Sequence, residues 1–312
     1  MRKSLIIAAS LGMIVTFWLT GCGKGSAAYK PKDNNIAFLK NSHWNKGKAE
    51  YQRYKHSLGW YGAKRTSDDS MMVLVKEPWD TNRHVKVPWK QANAYVLKLS
   101  IFDIFQTGTY SYSFKSDMYI DTKSGRVLKY VMGSHDGCGN HFMKYEVKGS
   151  KGVFNWHSYW NGHGLISIQV PTSKFDTFFD ALPAYLRFRL KEPSYNARAV
   201  QSLIANRPLD ISSPGKHYAN QMDAVKRGLP KILNIAVTNT PGQEIADAKG
   251  VKHKVIKSEV KFGGKSKVFY FAESFPHTLI HSKGNAEKTM YYSEFFPYWV
   301  PGNRGKPAGT LK

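Results

Sequence analysis

Short segments in which apolar and polar residues alternate recur along this chain, and they constrain its fold more than any other feature. In "TYSYSFKSDMYI" (109–120), Tyr110, Tyr112 and Phe114 alternate with serine and lysine, the period of a half-buried β-strand. A turn, "DTKSG", and a returning strand, "RVLKYVM", follow directly. Similar strand and turn patterns occur before and after this hairpin. The sequence therefore predicts a mainly β fold of the α+β class, built on a large antiparallel sheet.

The periodicity becomes helical once, in the middle of the chain. Four apolar residues fall at helical spacing there: Phe175, Phe178, Phe179 and Leu182. Ser173 and Asp176 are placed like an N-cap and its partner, so we expect a helix that Pro183 ends or kinks. A second short helix is expected around 197–205. The predicted architecture is a curved sheet, half-barrel or lipocalin-like, wrapped around the phenylalanine-rich helix.

The first residues have the pattern of a secretory signal. Arg2 and Lys3 precede an uncharged apolar stretch that is too short to span a bilayer comfortably. The stretch closes on Leu19, Thr20, Gly21 and Cys22, which resembles the bacterial lipobox. That resemblance implies cleavage before Cys22 and acylation of its thiol and new amino group, with palmitate or a similar chain. Two or three acyl chains would anchor a domain stably to a membrane.

These patterns divide the chain into four parts. We expect a lipoprotein signal peptide (1–21), a flexible tether (22–43), a β-rich envelope domain (44–300) and a disordered tail (301–312). The β-rich domain is predicted to comprise two halves, 44–171 and 230–300, joined by a helical segment, 172–207. The mature protein is expected outside the cytoplasm, anchored to the cell membrane. Gly23 after the lipidated cysteine favours the outer membrane if the cell has two membranes.

Charge is the most unusual property of the composition. The formal net charge is +24, with 46 Lys and Arg against 22 Asp and Glu. Export argues against a nucleic-acid partner, and the lysines are scattered rather than clustered in a basic motif. The expected partners are therefore membrane lipid, through acylated Cys22, and an anionic envelope surface of lipid headgroups or glycans. No particular protein partner is indicated. With 42% hydrophobic residues the chain can bury a proper core.

The stretch "GSHDGCGNHF" (133–142) holds the most reactive residue types. The chain has two cysteines, and lipidation of Cys22 would leave Cys138 without an intramolecular partner. His135 and His141 lie three residues to either side of Cys138, so a cysteine nucleophile with a histidine base is one reading. The same three residues are ligand types for zinc or copper, which is a second reading. A glycine-rich connection between strands is favoured over both, and no cofactor is predicted.

Aromatic residues are a further candidate feature. Eight of them crowd two regions of the chain: Trp44, Trp60, Tyr61, Trp79, Trp89, Trp156, Tyr159 and Trp160. Aromatic rings suit carbohydrate or lipid ligands, but they equally suit the core beneath a large sheet. Motifs for a serine hydrolase, a P-loop or a dinucleotide fold are absent from the sequence.

Several stretches occur in an order that resembles a group of exported bacterial lipoproteins without established activity, some of which carry a septum formation inhibitor label. These stretches are "WNKGKAEYQRYKHSLGWYGAKR", "VLVKEPW", "HVKV", "VLKLSIFDIFQTGTYSYS" and "DGCGNHF". The resemblance covers roughly 44–147 and implies an envelope location and a β-rich architecture, but no reaction. Such proteins tend to have Trp directly before Cys-Gly, where this chain has Gly137.

Together these features predict a membrane-anchored, non-enzymatic envelope lipoprotein. Its β-sheet surface would bind a hydrophobic, glycan or protein partner. The alternatives are a hydrolase or transferase that depends on Cys138, and a metal-binding protein that uses His135, Cys138 and His141.

Overall fold

The computed structural model describes residues 33–60, 63–108, 110–136, 139–158, 165–201, 230–284 and 286–297. Two short α-helices, α1 (Asp33–Lys40) and α2 (Leu182–Tyr185), accompany sixteen strands. The strands are β1 (Ala49–Trp60), β2 (Ala63–Asp80), β3 (Val85–Lys86), β4 (Ala94–Thr107), β5 (Tyr110–Asp121), β6 (Val127–Asp136), β7 (Gly139–Lys148), β8 (Lys151–Ser158), β9 (Leu165–Pro171), β10 (Thr177–Phe178), β11 (Ser194–Val200), β12 (Ile232–Ala246), β13 (Lys252–Phe262), β14 (Lys265–Ala272), β15 (Leu279–Lys283) and β16 (Ala286–Phe296). Short 3₁₀ turns lie at Ser42–Asn45, Trp89–Gln91, Thr172–Lys174, Phe179–Ala181 and Leu186–Arg189.

All sixteen strands belong to one large, open, curved sheet, which confirms the predicted fold class. The strand order is β10-β11-β12-β13-β14-β15-β16-β1-β2-β4-β5-β6-β7-β8-β9, with β3 beside β2. The pairs are antiparallel except β10 with β11. Because β16 pairs with β1, the first and last strands of the chain meet in the middle of the sheet. The two predicted halves, 44–171 and 230–300, therefore contribute to a single sheet.

The segment from 172 to 190, here called the central segment, packs against one face of the sheet. We call that face the inner face and the opposite one the outer face. The central segment contacts both halves of the sheet. The ring of Phe178 lies 5.0 Å from that of Tyr130 on β6 and 4.9 Å from that of Tyr145 on β7. On the other side, Phe179 lies 4.9 Å from Phe262 on β13. The central segment thus fills the concavity of the sheet.

The predicted helices differ from the observed ones. Phe175 is extended and Phe178 lies in β10, so after the 3₁₀ turn at Thr172–Lys174 helical structure resumes only at Phe179. Pro183 stands in the first turn of α2, where its missing N–H costs nothing, rather than at the end of a helix. The second predicted helix is wrong in its described part, because 197–200 belong to β11. The hydrophobic spacing in 175–182 reflects burial from every side rather than one helical face.

Helix α1 lies within the segment predicted as a tether, and it packs on the domain. Its Phe38 and Leu39 are buried, and the ring of Phe38 lies 5.3 Å from that of Phe188 in the central segment. The Trp44 indole donates a hydrogen bond to the Phe38 carbonyl at 2.9 Å. The folded domain therefore includes residues from at least 37 onward. The predicted signal peptide, the first part of the tether and the tail 301–312 lie outside the described residues.

A glycine in β8 makes close packing of the sheet possible. A Cβ atom at Gly152 would collide with the buried Tyr145 ring on the neighbouring strand. We expect Gly152→Ala to lower the free energy of unfolding by about 1–3 kcal/mol, because the ring is enclosed and must shift. Urea denaturation measures this change. Gly133→Ala is the matched control, since its Cβ would meet only one backbone oxygen at an ordinary 3.6 Å. Equal effects of the two substitutions would contradict the predicted collision.

Candidate functional site

The structure places the sequence-predicted site residues at different points. Strands β6 and β7 pair across "GSHDGCGNHF", so this stretch is a hairpin, and Cys138 at its turn lies outside the described residues. His135 is exposed and its Nδ1 lies 2.8 Å from the Asn140 side-chain oxygen. His141 is buried opposite Ser134. Since neighbouring register positions point to opposite faces of a sheet, His135 and His141 are not brought together.

The remaining predicted residues divide between the core and the surface. Cys22 and the lipobox residues Leu19, Thr20 and Gly21 lie outside the described residues. Trp44, Trp79 and Trp156 are buried, whereas Trp89 is 55% exposed. Nothing is described of the other four aromatic side chains, Trp60, Tyr61, Tyr159 and Trp160. Across the described ranges, no group of three or more His, Cys, Asp and Glu is arranged to hold a metal ion.

A buried ion pair fixes the central segment to the inner face. Arg187 donates to a Glu50 carboxylate oxygen at 2.6 Å, and both side chains are almost completely buried. The other Glu50 oxygen accepts from the Gln52 amide at 2.5 Å and from the Thr278 hydroxyl at 2.8 Å. Tyr54 donates to Gln52 at 2.6 Å, and its burial raises the pKa of its phenol well above the usual range. The charged pair at the centre of this network is almost completely buried, which indicates a structural role.

A second polar group on the inner face surrounds Asp103. Its carboxylate accepts a hydrogen bond from Ser70 at 2.5 Å and contacts the ammonium of Lys288. The His56 Nδ1 lies 3.8 Å away. Asp103, His56 and Lys288 line a cavity of about 60 Å³, together with Phe179. At about 30 Å³ for each water molecule, this space holds roughly two waters and excludes a sugar or an acyl chain.

A much larger cleft lies at β11, β12 and β13; residues of their outer face line most of it, and Asp176 and Arg189 of the central segment also line it. Its volume is about 760 Å³, within the usual range of ligand sites. The register of these strands brings the polar residues of the cleft together. Asn196 on β11, Ala236 on β12 and Lys261 on β13 are cross-strand partners in one row. Arg198 and Asn234 are partners two positions along the strands, so their side chains point to the same face as the first row.

The polar groups of the cleft have a mixed but mainly cationic character. The Arg198 guanidinium lies 3.5 Å from the Asp176 carboxylate and donates to the Ser173 carbonyl at 2.9 Å. Lys261 is 68% exposed at its side chain and lies 3.9 Å from Glu259, so it is free to reach a ligand. Phe262, Gly263 and Gly264 form one wall at the β13–β14 turn. Two amides, an arginine and an extended lysine over a shallow floor suit a polar, negatively charged ligand.

His277 makes the stability of the fold depend on pH. Burial lowers the pKa of its imidazole below the usual value, and the charges of Arg187 and Lys191 act in the same direction, against a hydrogen bond with the Ala272 carbonyl. Folded His277 therefore stays neutral to a lower pH than the same histidine in the unfolded chain, which gains a proton as pH falls through about 6.5. Its contribution to stability is present above that pH and is lost below it.

A substitution of His277 tests this pH dependence of stability. His277 has a positive φ of 60°, which asparagine tolerates, so His277→Asn should fold. We expect its free energy of unfolding to fall less steeply than that of the wild type between about pH 7.5 and 5.5. Urea midpoints at several pH values measure the slope. The control is His135→Asn, at an exposed histidine. An unchanged slope in His277→Asn, or an equal change in both variants, would contradict the assignment.

No helix in the described ranges is both long enough and apolar enough to span a membrane.

No protein-family model and no curated protein matches the chain. A crystal structure described as a beta-barrel-like protein of the domain of unknown function DUF1849, from Brucella abortus, aligns with a TM-score of 0.44 and 8% sequence identity. The alignment covers 80% of this chain and 98% of that chain. The sheet architecture of this chain is established by its own strand pairing.

Proposed function

We propose that this chain is a lipid-anchored extracytoplasmic protein that binds an anionic envelope glycan in the cleft on β11–β13. In this proposal Cys22 carries the acyl chains, and the β-rich domain recognises the glycan without a chemical reaction. The observation that carries the proposal is the cleft of about 760 Å³ with Arg198, Lys261 and two asparagines on its floor. The signal and lipobox pattern of 1–22 supports the location.

The inner face favours this choice of ligand over a carried lipid. A lipocalin-like carrier needs an apolar interior with room for an acyl chain. Here the side chains of the central segment occupy that interior, and Phe178 is 1% exposed. The inner cavity at Asp103 is too small for such a ligand. Glycan recognition at the outer face requires no rearrangement of this packed core.

The cleft predicts a specific binding phenotype. An oligogalacturonate hexamer should bind the full-length chain, whereas neutral maltohexaose of the same length should bind far more weakly. Arg198→Ala and Lys261→Ala should each weaken binding of the charged hexamer about tenfold or more, because each removes a charge-assisted hydrogen bond. Isothermal titration at low salt measures both affinities. Lys55→Ala, on the outer face of β1, is the control and should bind like the wild type.

Two results would contradict the proposal. Equal affinities for the charged and neutral hexamers would exclude recognition of charge. Unchanged affinity in both cleft variants would place the site elsewhere. The anchor is tested separately: Cys22→Ser should abolish incorporation of labelled fatty acid and release the protein from membranes. Fatty acid that is still incorporated into this variant would refute the anchor.

A further inference from the structure

The alternation of strand direction assigns each connection to one of two ends of the sheet. Strand β1 begins at Ala49, so α1 and the turn Ser42–Asn45 lie at the end where β1 starts. We call this the N-terminal end. The antiparallel register places six other connections there: 81–93, 122–126, 149–150, 172–176, 247–251 and 273–278. The loop 191–193, which leads into β11, lies at the same end.

Four large apolar side chains are exposed at the N-terminal end, the aromatic Trp89 and Phe275 and the aliphatic Val85 and Val251. Trp89 is 55% exposed, and its ring lies 5.4 Å from that of Tyr95. Phe275 is 39% exposed and lies 5.5 Å from Phe38 of α1 and 6.2 Å from Trp44. Each exposed ring is therefore held in place by aromatic neighbours. Rings that are held partly out of the fold are suited to the boundary between lipid headgroups and acyl chains.

Exposed lysines surround these rings. They are Lys40, Lys46, Lys48, Lys90, Lys123, Lys148, Lys151, Lys174 and Lys191. Among the described residues, none of these lysines forms an ion pair. By contrast, lysines on the outer face share carboxylates: Lys86 and Lys98 with Glu77, and Lys129 and Lys144 with Glu146.

The nearby carboxylates are already engaged. Asp80 pairs with Arg83 at 2.7 Å, and Asp121 accepts hydrogen bonds from the N–H groups of Lys123 and Ser124. Lys148 and Lys151 are direct cross-strand partners, an arrangement of like charges that is unfavourable on its own. The N-terminal end therefore presents an uncompensated positive field, which an external anion would stabilise.

The short length of chain between Cys22 and α1 indicates that the membrane supplies this anion. Cys22 lies eleven residues before Asp33, so an extended tether reaches at most about 35–40 Å. The anchor proposed above thus keeps the N-terminal end, and not the opposite one, close to the bilayer. Acyl chains combined with a basic surface are the pairing of signals that gives stable attachment.

We infer that the N-terminal end docks on an anionic phospholipid surface, with Trp89 and Phe275 at the headgroup level and the lysines against the phosphates. This inference rests on the proposed anchor. It orients the whole molecule, because the cleft residues Lys261 and Gly263 lie near the opposite end of the sheet. The twelve residues of β1 span about 40 Å. The cleft is then held at roughly that height, facing away from the membrane.

Lysine acetylation of the full-length acylated protein tests the inference. The protein is reconstituted in vesicles of phosphatidylglycerol and phosphatidylcholine (1:1), in vesicles of phosphatidylcholine alone, and in detergent. Peptide mass spectrometry measures the extent of acetylation at each lysine. We expect Lys46, Lys90, Lys148 and Lys151 to be acetylated severalfold more slowly in the anionic vesicles alone, and high salt to abolish this protection. Lys55 on the outer face and Lys265 at the opposite end are internal references.

A charge-reversed variant completes the test. With Lys90, Lys148 and Lys151 changed to Glu, Lys46 should lose its protection, whereas the change Lys55→Glu should leave it intact. Equal acetylation in both kinds of vesicle would overturn the inference. Protection that is already present in detergent would also overturn it, since a protein contact would then cover this end. The acyl mass on Cys22 is read from the same sample, so failure of the anchor and failure of docking are distinguished.

Discussion

Replacing Glu50 by alanine should destabilise the fold by about 3–5 kcal/mol, because the substitution leaves the Arg187 guanidinium buried without its counter-charge. Arg187 and Glu50 are 2.6 Å apart, with side chains only 1% and 3% exposed. The Gln52 and Thr278 groups that donate to Glu50 lose their acceptor as well. The urea midpoint should fall correspondingly. The effect is large since burial, charge and hydrogen bonding all depend on one carboxylate.

Two further variants separate this mechanism from a general loss of packing. Glu287→Ala removes an exposed carboxylate whose Lys64 partner lies 3.7 Å away, and it should cost less than about 1 kcal/mol. The double change Glu50→Leu with Arg187→Met removes both buried charges and should recover much of the lost stability. If Glu50→Ala and Glu287→Ala had equal effects, the buried pair would not be what holds the central segment.

Phe178→Ala should cost a similar amount, about 3–5 kcal/mol, because it creates a cavity where the central segment meets the sheet. The Phe178 ring lies 4.9–6.0 Å from four aromatic rings: Tyr130, Tyr145, Phe154 and Phe175. Few of these neighbours can move into the space, since each is itself buried. Urea denaturation measures the loss of stability.

The matched control for Phe178 is a phenylalanine on the outer face. Phe142 is 45% exposed, so Phe142→Ala should change the free energy of unfolding by about 0.5 kcal/mol or less. Phe178→Leu should fall between the two. A small effect of Phe178→Ala would mean that the central segment is not an integral part of the core. The inner face would then be open to a ligand, which would contradict the proposed binding of a glycan in the cleft on β11–β13.

Local patterns predict the strands of this fold well. The alternation of Tyr110, Tyr112 and Phe114 corresponds to β5, and the turn that returns the chain contains Gly125 with a φ of +70°. The pairing of β16 with β1 joins residues more than two hundred positions apart. No local pattern encodes such a contact, because it depends on how the whole sheet curves around the central segment.

The errors in the middle of the chain also have a physical origin. Phe175, Phe178, Phe179 and Leu182 are all buried, and a segment surrounded by core shows no exposed face from which to read its period. In β11, Ala197 and Ala199 alternate with Asn196 and Arg198, which is a strand period. Alanine is a good helix former and obscured that period. Pairing with β12 overrides the local preference.

The cleft has no signature in the linear sequence. Asn196, Asn234 and Lys261 come from three strands, and only the register brings them to one face. Conversely, the residues that looked most reactive, His135 and His141, are close in sequence but lie on opposite faces of β6 and β7. Chemistry that is assembled across strands becomes visible only when the register is known.

Native mass spectrometry of the acylated protein, extracted from its own membrane, tests the central claim most directly. We expect an acyl mass on Cys22 and a further, non-covalent saccharide mass that is lost on denaturation. The saccharide mass should be absent from a variant that combines Arg198→Ala with Lys261→Ala, whereas Lys55→Ala should retain it. A lipid mass in place of a saccharide, or a saccharide retained by the cleft variant, would contradict the account.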